Sequence, residues 1–124
     1  MDLRDDGAVL RLRVEHHRGA RGCVEVLSIT GDLDVLGASR LREQLPDPVA
    51  HLRVADLSEV AFLDSSGVGA LIAMQRRQAE AGGSFAVCCA QPQPLQVLTM
   101  TGADRLLAVR PTLVDALGLA RTAG

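Results

Sequence analysis

The segment Leu57–Leu71 constrains the fold of this chain more than any other. It begins with an apolar run that ends at Leu63, continues through small and polar residues, and then takes up the apolar spacing of a helix. Residues 64–67 are therefore predicted to lie where extended chain enters a helix. The positive end of a helix and its free backbone N–H groups can accommodate an added phosphate, which makes Ser65 a candidate for modification.

The same residues have a purely structural interpretation. Asp64, Ser65 and Ser66 all belong to the residue types that cap helix N-termini, and one such cap contributes about 1 kcal/mol to stability. Local sequence alone therefore favours capping. The functional interpretation depends on the wider pattern of the chain.

Size and charge bound the classes of protein to consider. A chain of 124 residues predicts a single domain spanning residues 1–124, in which residues 1–7 are expected to be frayed. No apolar stretch approaches the roughly 20 residues of a membrane span, and the acidic start does not look like a signal peptide, so we expect a cytoplasmic protein. With a net charge of -2, the composition predicts a protein partner rather than nucleic acid or a membrane.

The order of apolar runs predicts a mixed α/β fold. Two strands, at residues 9–14 and 23–29, are expected to form an antiparallel hairpin, with His16 and His17 in a solvated turn between them. Three strand–helix alternations follow, and their long connections predict parallel β-α-β units with right-handed crossovers.

The wider pattern consists of four strings: 30–34 (Thr-Gly-Asp-Leu-Asp), 54–58 (Val-Ala-Asp-Leu-Ser), 62–69 (Phe-Leu-Asp-Ser-Ser-Gly-Val-Gly) and 82–88 (Gly-Gly-Ser-Phe-Ala-Val-Cys). Together they resemble STAS domains, in particular the bacterial anti-sigma factor antagonists, over nearly the whole chain. The resemblance implies a mixed sheet of about five strands with the helices mainly on one side. It also implies that Ser65, the first serine after the aspartate, is phosphorylated by the anti-sigma factor, which is a serine protein kinase.

Several acidic residues leave two interpretations open. Asp32 and Asp34 can share one face of an extended loop, which would suit a divalent ion or general acid-base chemistry if a third group converged. Asp34 can instead cap a helix over residues 35–45. The resemblance implies a partner-facing role for this loop, because it places the loop beside the phosphorylation site. Asp56 ends a strand, where it can contact a ligand or organise the loop through local hydrogen bonds.

A strip of small residues on the helix after Ser65 is also ambiguous. Gly67, Ala70 and Met74 share one side of that helix and form either a docking surface or ordinary core. The residues expected to bind a partner are Asp32, Asp34, Asp56, Asp64, Ser66, Gly67, Gly69 and Met74.

Catalysis, a metal site and a cofactor are not expected. Ser65 has no histidine close in sequence, and the chain has no P-loop string and no set of metal ligands. The cysteines, Cys23, Cys88 and Cys89, lack paired spacing and are expected to be buried reduced thiols. With no Trp or Tyr, a binding face would use arginine, backbone and small apolar groups, and aromatic anchors would come from the partner.

The resemblance implies a regulatory cycle. The unmodified protein binds the anti-sigma factor and frees a sigma factor, the kinase inactivates the protein with ATP, and a serine phosphatase resets it. The alternative is a STAS subunit without a phospho-switch that acts as a scaffold in a stressosome or a lipid transporter.

Overall fold

The computed structural model describes residues 10–19 and 22–119. The elements are, in chain order, β1 (Arg11–Gly19), β2 (Gly22–Thr30), α1 (Val35–Gln44), β3 (Leu52–Glu59), α2 (Ser65–Glu80), β4 (Ser84–Cys88), α3 (Pro92–Met100), β5 (Ala108–Arg110) and α4 (Leu113–Leu117). A short 3-10 helix, Ala103–Arg105, lies between α3 and β5. The frayed start expected for residues 1–7 lies outside the described residues.

The strands form one five-stranded sheet in the order β1-β2-β3-β4-β5. The pair β1–β2 is antiparallel, and each of the other three pairs is parallel. Parallel neighbours need long crossover connections, and α1, α2 and α3 provide them. The prediction of a mixed α/β fold, with a hairpin joined to parallel β-α-β units, is confirmed.

The hairpin differs from the prediction in its length. β1 pairs with β2 without interruption from Arg11, opposite Thr30, to Gly19, opposite Gly22. His16 and His17 are therefore strand residues, and their assignment to a turn is wrong. The turn is shorter than the charged and glycine-rich sequence suggested, because the polar side chains of an edge strand can face solvent without ending the strand.

The sheet separates two apolar clusters of different size. The larger cluster packs the apolar faces of α1, α2 and α3 against one face of the sheet; its fully buried members include Leu27, Leu41, Leu57, Leu71, Val87 and Leu98. The smaller cluster lies on the other face, where Val26 and Val54 pack with Ala116 of α4. Three helices on one face and one short helix on the other confirm the predicted layout.

Three buried polar side chains hold the ends of the strands opposite the helix starts. Glu25 of β2 and Arg53 of β3 form an ion pair of 2.5 Å, and both side chains are at least 96% buried. Gln78 of α2 accepts a hydrogen bond from the N–H of Val49 (2.7 Å) and donates to the carbonyls of His51 (2.9 Å) and Ser84 (3.0 Å). The amide thus ties α2 to the chain entering β3 and β4.

Candidate functional site

The segments that precede α1 and α2 are paired with each other. The N–H of Leu33 donates to the carbonyl of Phe62 (2.9 Å), and the N–H of Asp64 donates to the carbonyl of Leu33 (3.2 Å). These bonds form an isolated parallel bridge between Leu33 and Leu63, whose side chains are both fully buried. Each helix begins two residues after its bridge residue, so the starts of α1 and α2 lie side by side.

An aspartate caps each of the two helices. The Asp34 carboxylate accepts a hydrogen bond from the N–H of Gly37 (2.8 Å) at the start of α1. The Asp64 carboxylate accepts from the N–H groups of Ser66 (2.9 Å) and Gly67 (3.2 Å) at the start of α2. Capping is therefore confirmed for both aspartates.

Ser65 is not the cap of α2. It is the first residue of that helix, it is exposed, and its hydroxyl forms no hydrogen bond with any residue that the structure describes. Because Asp64 already fills the capping position, the capping interpretation does not account for a serine at position 65. A free hydroxyl at the surface is accessible to an enzyme that modifies it.

Glycines allow the loop at residues 31–34 to pack directly on both helices. A Cβ atom at Gly67 would lie 2.4 Å from the carbonyl oxygen of Leu33, and one at Gly37 would lie 1.9 Å from that of Asp32. Both glycines are buried, so the close approach of backbone to helix depends on the missing side chain. A Cβ at Gly69, by contrast, would meet no atom within 4 Å.

The amide side chain of Gln93 in α3 fixes the loop between β3 and α2. Its Oε1 accepts a hydrogen bond from the N–H of Leu63, and its Nε2 donates to the carbonyl of the same residue, both at 2.9 Å. Gln91 adds a bond of 2.9 Å from its Nε2 to the carbonyl of Ser58. Sequence reasoning missed both glutamines, since nothing in the chain marks a contact across about 30 residues.

Three large apolar side chains are exposed at the two helix starts, where Ser65 also lies. Val35 and Leu36 open α1 with 68% and 59% of their surface exposed, and Phe62 is 41% exposed. We call these three residues the apolar patch. Val35 and Leu36 lie off the buried side of α1, which carries Ala38 and Leu41. Because Val35 and Leu36 fall outside the helical spacing of the buried residues of α1, their exposure could have been predicted from the sequence.

Asp56 lies on the face of the sheet away from α2. Asp56 lies two residues after Val54 on β3, so the two side chains point to the same face of the sheet. Val54 belongs to the smaller cluster, whereas α2 packs against the larger one. Asp56 therefore lies on the opposite face of the sheet from α2, and its contact with a partner stays a prediction. Its carboxylate accepts hydrogen bonds from the N–H (3.0 Å) and Oγ (2.5 Å) of Ser58, which is the local role weighed for it.

The strip on α2 is core rather than a docking surface. Gly67 is buried beneath Leu33, and Ala70 and Met74 are 2% and 4% exposed. Met74 packs into the larger cluster, which leaves it no surface to offer a partner. Of the predicted partner-binding residues, Asp32, Asp34, Asp64 and Ser66 are half-buried around the two helix starts, and Gly69 is exposed.

A polar cleft of about 510 Å³ lies on the other face of the sheet. Arg11, Arg13 and Ser28 line it together with Asp56 and Ser58, so it combines charges of both signs. Ser65 does not line this cleft.

The thiols of Cys88 and Cys89 are buried in β4 and just after it. Burial raises the pKa of both thiols, and the nearby charge of Asp56 raises that of Cys88 further, although a hydrogen bond between Cys88 and Ser58 lowers it. The expectation of buried reduced thiols is confirmed for these two, whereas Cys23 is only half-buried. Within the described ranges, no three acidic, histidine or cysteine side chains cluster as a metal site would require. Nor do these ranges include a helix that is long and apolar enough to cross a membrane.

Comparisons with known proteins agree with this geometry. The chain is 29% identical over 112 residues to an anti-sigma F factor antagonist of Paenibacillus polymyxa, an alignment that covers 87% of this chain and 92% of that protein. It superimposes on an anti-sigma factor antagonist from Mycobacterium paratuberculosis with a TM-score of 0.68 and 29% identity, covering 90% of this chain and 94% of the other. For an anti-sigma-factor antagonist (STAS) domain protein from Planctomyces limnophilus, the TM-score is 0.64, the identity 26%, and the coverage 86% and 93%.

A family model covers most of the chain. The model described as "Mlab, STAS domain" matches residues 16–115. The matched range includes both helix starts, their aspartate caps and Ser65. The resemblance inferred from the Asp-Ser-Ser-Gly string is thereby confirmed, and the chain belongs to the STAS domain family.

Proposed function

We propose that this protein is an anti-sigma factor antagonist. Its unmodified form binds an anti-sigma factor that has serine kinase activity, and this binding frees a sigma factor. The names of the relatives support the general role, since proteins 29% identical over most of the chain are called anti-sigma factor antagonists. The observation that carries the proposal is an exposed, unbonded serine hydroxyl at the same pair of helix starts as the apolar patch.

The apolar patch provides the contact area for the partner. Large apolar side chains held at the surface by rigid backbone are typical of docking sites. Phe62 is an aromatic anchor, which the expectation of a face without aromatic residues did not include. The half-buried carboxylates of Asp32, Asp34 and Asp64 adjoin the patch and favour a partner with basic groups around an apolar centre.

Phosphorylation switches this contact off by changing its charge. The kinase transfers the terminal phosphoryl group of ATP to the Ser65 oxygen, which loses its proton, and ADP leaves. The phosphate brings about -1.5 to -2 charges. The Asp64 carboxylate already accepts hydrogen bonds from the N–H groups of Ser66 and Gly67, so these donors are not free to bind the phosphate. The phosphate also lies beside the negative charge of Asp64. The added charge therefore faces the partner, and a serine phosphatase restores binding by hydrolysing the ester.

Intact mass after incubation with candidate anti-sigma kinases and ATP tests the proposal. We expect one added phosphate on the wild type and on Ser66→Ala, and none on Ser65→Ala. Ser66 is the matched control because it is the adjacent hydroxyl and is half-buried. Phosphate retained by Ser65→Ala would refute the assignment.

A scaffold role without a switch is the alternative function. Met100 at the end of α3 and Leu106 after the 3-10 helix are 76% and 62% exposed, and neither belongs to the paired segments around Ser65. A second exposed apolar pair favours contact with more than one protein. Assembly into a complex that is unaffected by Ser65→Ala and by Ser65→Asp would identify this role.

A further inference from the structure

The outer edge of β1 has no strand beside it among the described residues. β1 is the first strand in the sheet order, contains nine residues and no proline, and pairs with β2 without a bulge. Alternate residues of such a strand direct their N–H and C=O groups away from the sheet. The opposite edge of the sheet is formed by β5, which has only three residues. β1 is therefore the edge with the capacity to add another strand.

The charges on β1 favour one way of pairing with itself. Arg13 and Glu15 lie on the same face of the strand, and Nε of Arg13 is 3.6 Å from Oε2 of Glu15. Their side chains are 72% and 45% exposed. Val14 lies between them on the other face and is 38% exposed. A strand that carries opposite charges two residues apart is complementary to an antiparallel copy of itself when the residue between them lies on the axis.

We propose that two copies of this chain dimerise through β1, antiparallel about a two-fold axis at Val14. The dimer has one continuous sheet of ten strands, five from each copy. In this register Val14 lies opposite Val14 of the second copy. Arg13 lies opposite Glu15 of the second copy, and the symmetry repeats that pair.

The neighbouring registers are unfavourable for a clear reason. An axis at residue 13 places Arg13 opposite its own copy, and an axis at residue 15 does the same for Glu15. Like charges directly opposite each other destabilise a strand pair. Charged edge strands normally resist pairing, but the alternation of sign in β1 sets opposite charges across from each other in the Val14-centred register.

The Val14-centred register also brings two apolar side chains together at the axis. Leu12, which packs against the larger cluster, lies opposite His16 of the second copy on the same face as Val14. The seam consists of β1 backbone and side chains. Ser65 and the apolar patch lie at the starts of α2 and α1, outside it.

Sedimentation of the full chain across a range of concentrations tests the dimer. We expect a concentration-dependent dimer for the wild type and a dissociation constant at least about tenfold weaker for Arg13→Glu, which sets two pairs of like charges opposite each other. The double variant Arg13→Glu/Glu15→Arg restores opposed charges and should restore dimerisation. Arg76→Glu, which makes the same charge change on α2, is the matched control and should sediment as the wild type does.

Disulfide trapping tests the register. In a Cys23→Ser background, Val14→Cys should form a disulfide-linked dimer on oxidation, since the residue lies opposite itself. Arg18→Cys, on the same face of β1 but far from the axis, should not. A monomeric wild type at millimolar concentration, a dimer indifferent to Arg13→Glu, or cross-linking at Arg18→Cys but not at Val14→Cys would each overturn the proposal. Circular dichroism of every variant separates these outcomes from misfolding.

Discussion

The backbone N–H of Asp64 donates a hydrogen bond of 3.2 Å to the carbonyl oxygen of Leu33. The residue that caps α2 is thus itself held by the loop that leads into α1. Because the Asp64 side chain is occupied with α2 and its backbone with the loop, Ser65 has a fixed position on the surface.

The first prediction concerns the charge at position 65. Affinity for the anti-sigma factor should fall in the order wild type and Ser65→Ala, then Ser65→Asp, then the phosphorylated protein. Aspartate adds one charge and lacks the third oxygen, so we expect it to weaken binding about tenfold and phosphate to weaken it at least about 100-fold. Titration calorimetry measures the series. Equal affinity for the modified and unmodified forms would favour the scaffold alternative.

The second prediction concerns the apolar patch. Leu36→Ala should weaken binding to the anti-sigma factor about tenfold, because the side chain is 59% exposed and its loss removes contact area. The free energy of unfolding should change by less than about 0.5 kcal/mol, because the Leu36 side chain is mostly exposed in the folded protein. Met100→Ala, at 76% exposure on α3, is the control. If the two variants bind alike, the patch is not the docking surface.

The third prediction compares two glycines in the first turns of α2. Gly67→Ala places a Cβ 2.4 Å from the carbonyl oxygen of Leu33 and should destabilise the fold by about 1–3 kcal/mol. Gly69→Ala meets no atom within 4 Å and should stabilise the helix by up to about 1 kcal/mol. Urea unfolding followed by circular dichroism gives both values. Similar midpoints for the two variants would contradict the close packing of loop and helix.

The fourth prediction concerns pH. Burial raises the pKa of Cys88 and Cys89 in the folded protein, so the unfolded chain releases these protons at lower pH. The thiols' contribution to stability is therefore complete below the unfolded pKa of about 8.5 and is lost as pH rises above it. The chain contains no Lys and no Tyr, which leaves few other groups to titrate in this range. The urea concentration at the unfolding midpoint should decrease as the pH is raised from about 7 to about 10.

A double variant tests whether the two thiols cause the decrease of stability with rising pH. Cys88→Ala/Cys89→Ala should be less stable than the wild type at pH 7, because it leaves small voids, but its midpoint should change less with pH. If the urea midpoint of the double variant decreases with pH as steeply as that of the wild type, the thiols are not the cause of the decrease.

Features that depend on nearby residues were predictable from the sequence. The turn from β3 into α2 follows from Asp64 and the residues around it, and the hairpin and the β-α-β units follow from runs of apolar residues. Faces were harder to predict. β3 is apolar on both sides, so its sequence does not say which side α2 covers or on which face Asp56 lies. Met74 was ambiguous because a wide apolar side of a helix hides the boundary between core and surface.

Long-range contacts of single side chains left no trace in the sequence. Gln93 holds Leu63 through both backbone groups, yet a glutamine near two prolines is typical of an ordinary helix start. The exposure of Phe62 was equally hidden, since a phenylalanine in an apolar run ordinarily indicates core.

The bridge between Leu33 and Leu63 has a consequence for how an enzyme can recognise Ser65. The serine cannot be drawn out as an extended strand without breaking the bridge, the Asp64 cap and both Gln93 bonds together. A kinase that modifies it must therefore accept a folded substrate and read the shape made by two separate stretches of chain. A peptide copied from residues 57–71 carries the serine but none of the α1 surface beside it, so it lacks most of that epitope.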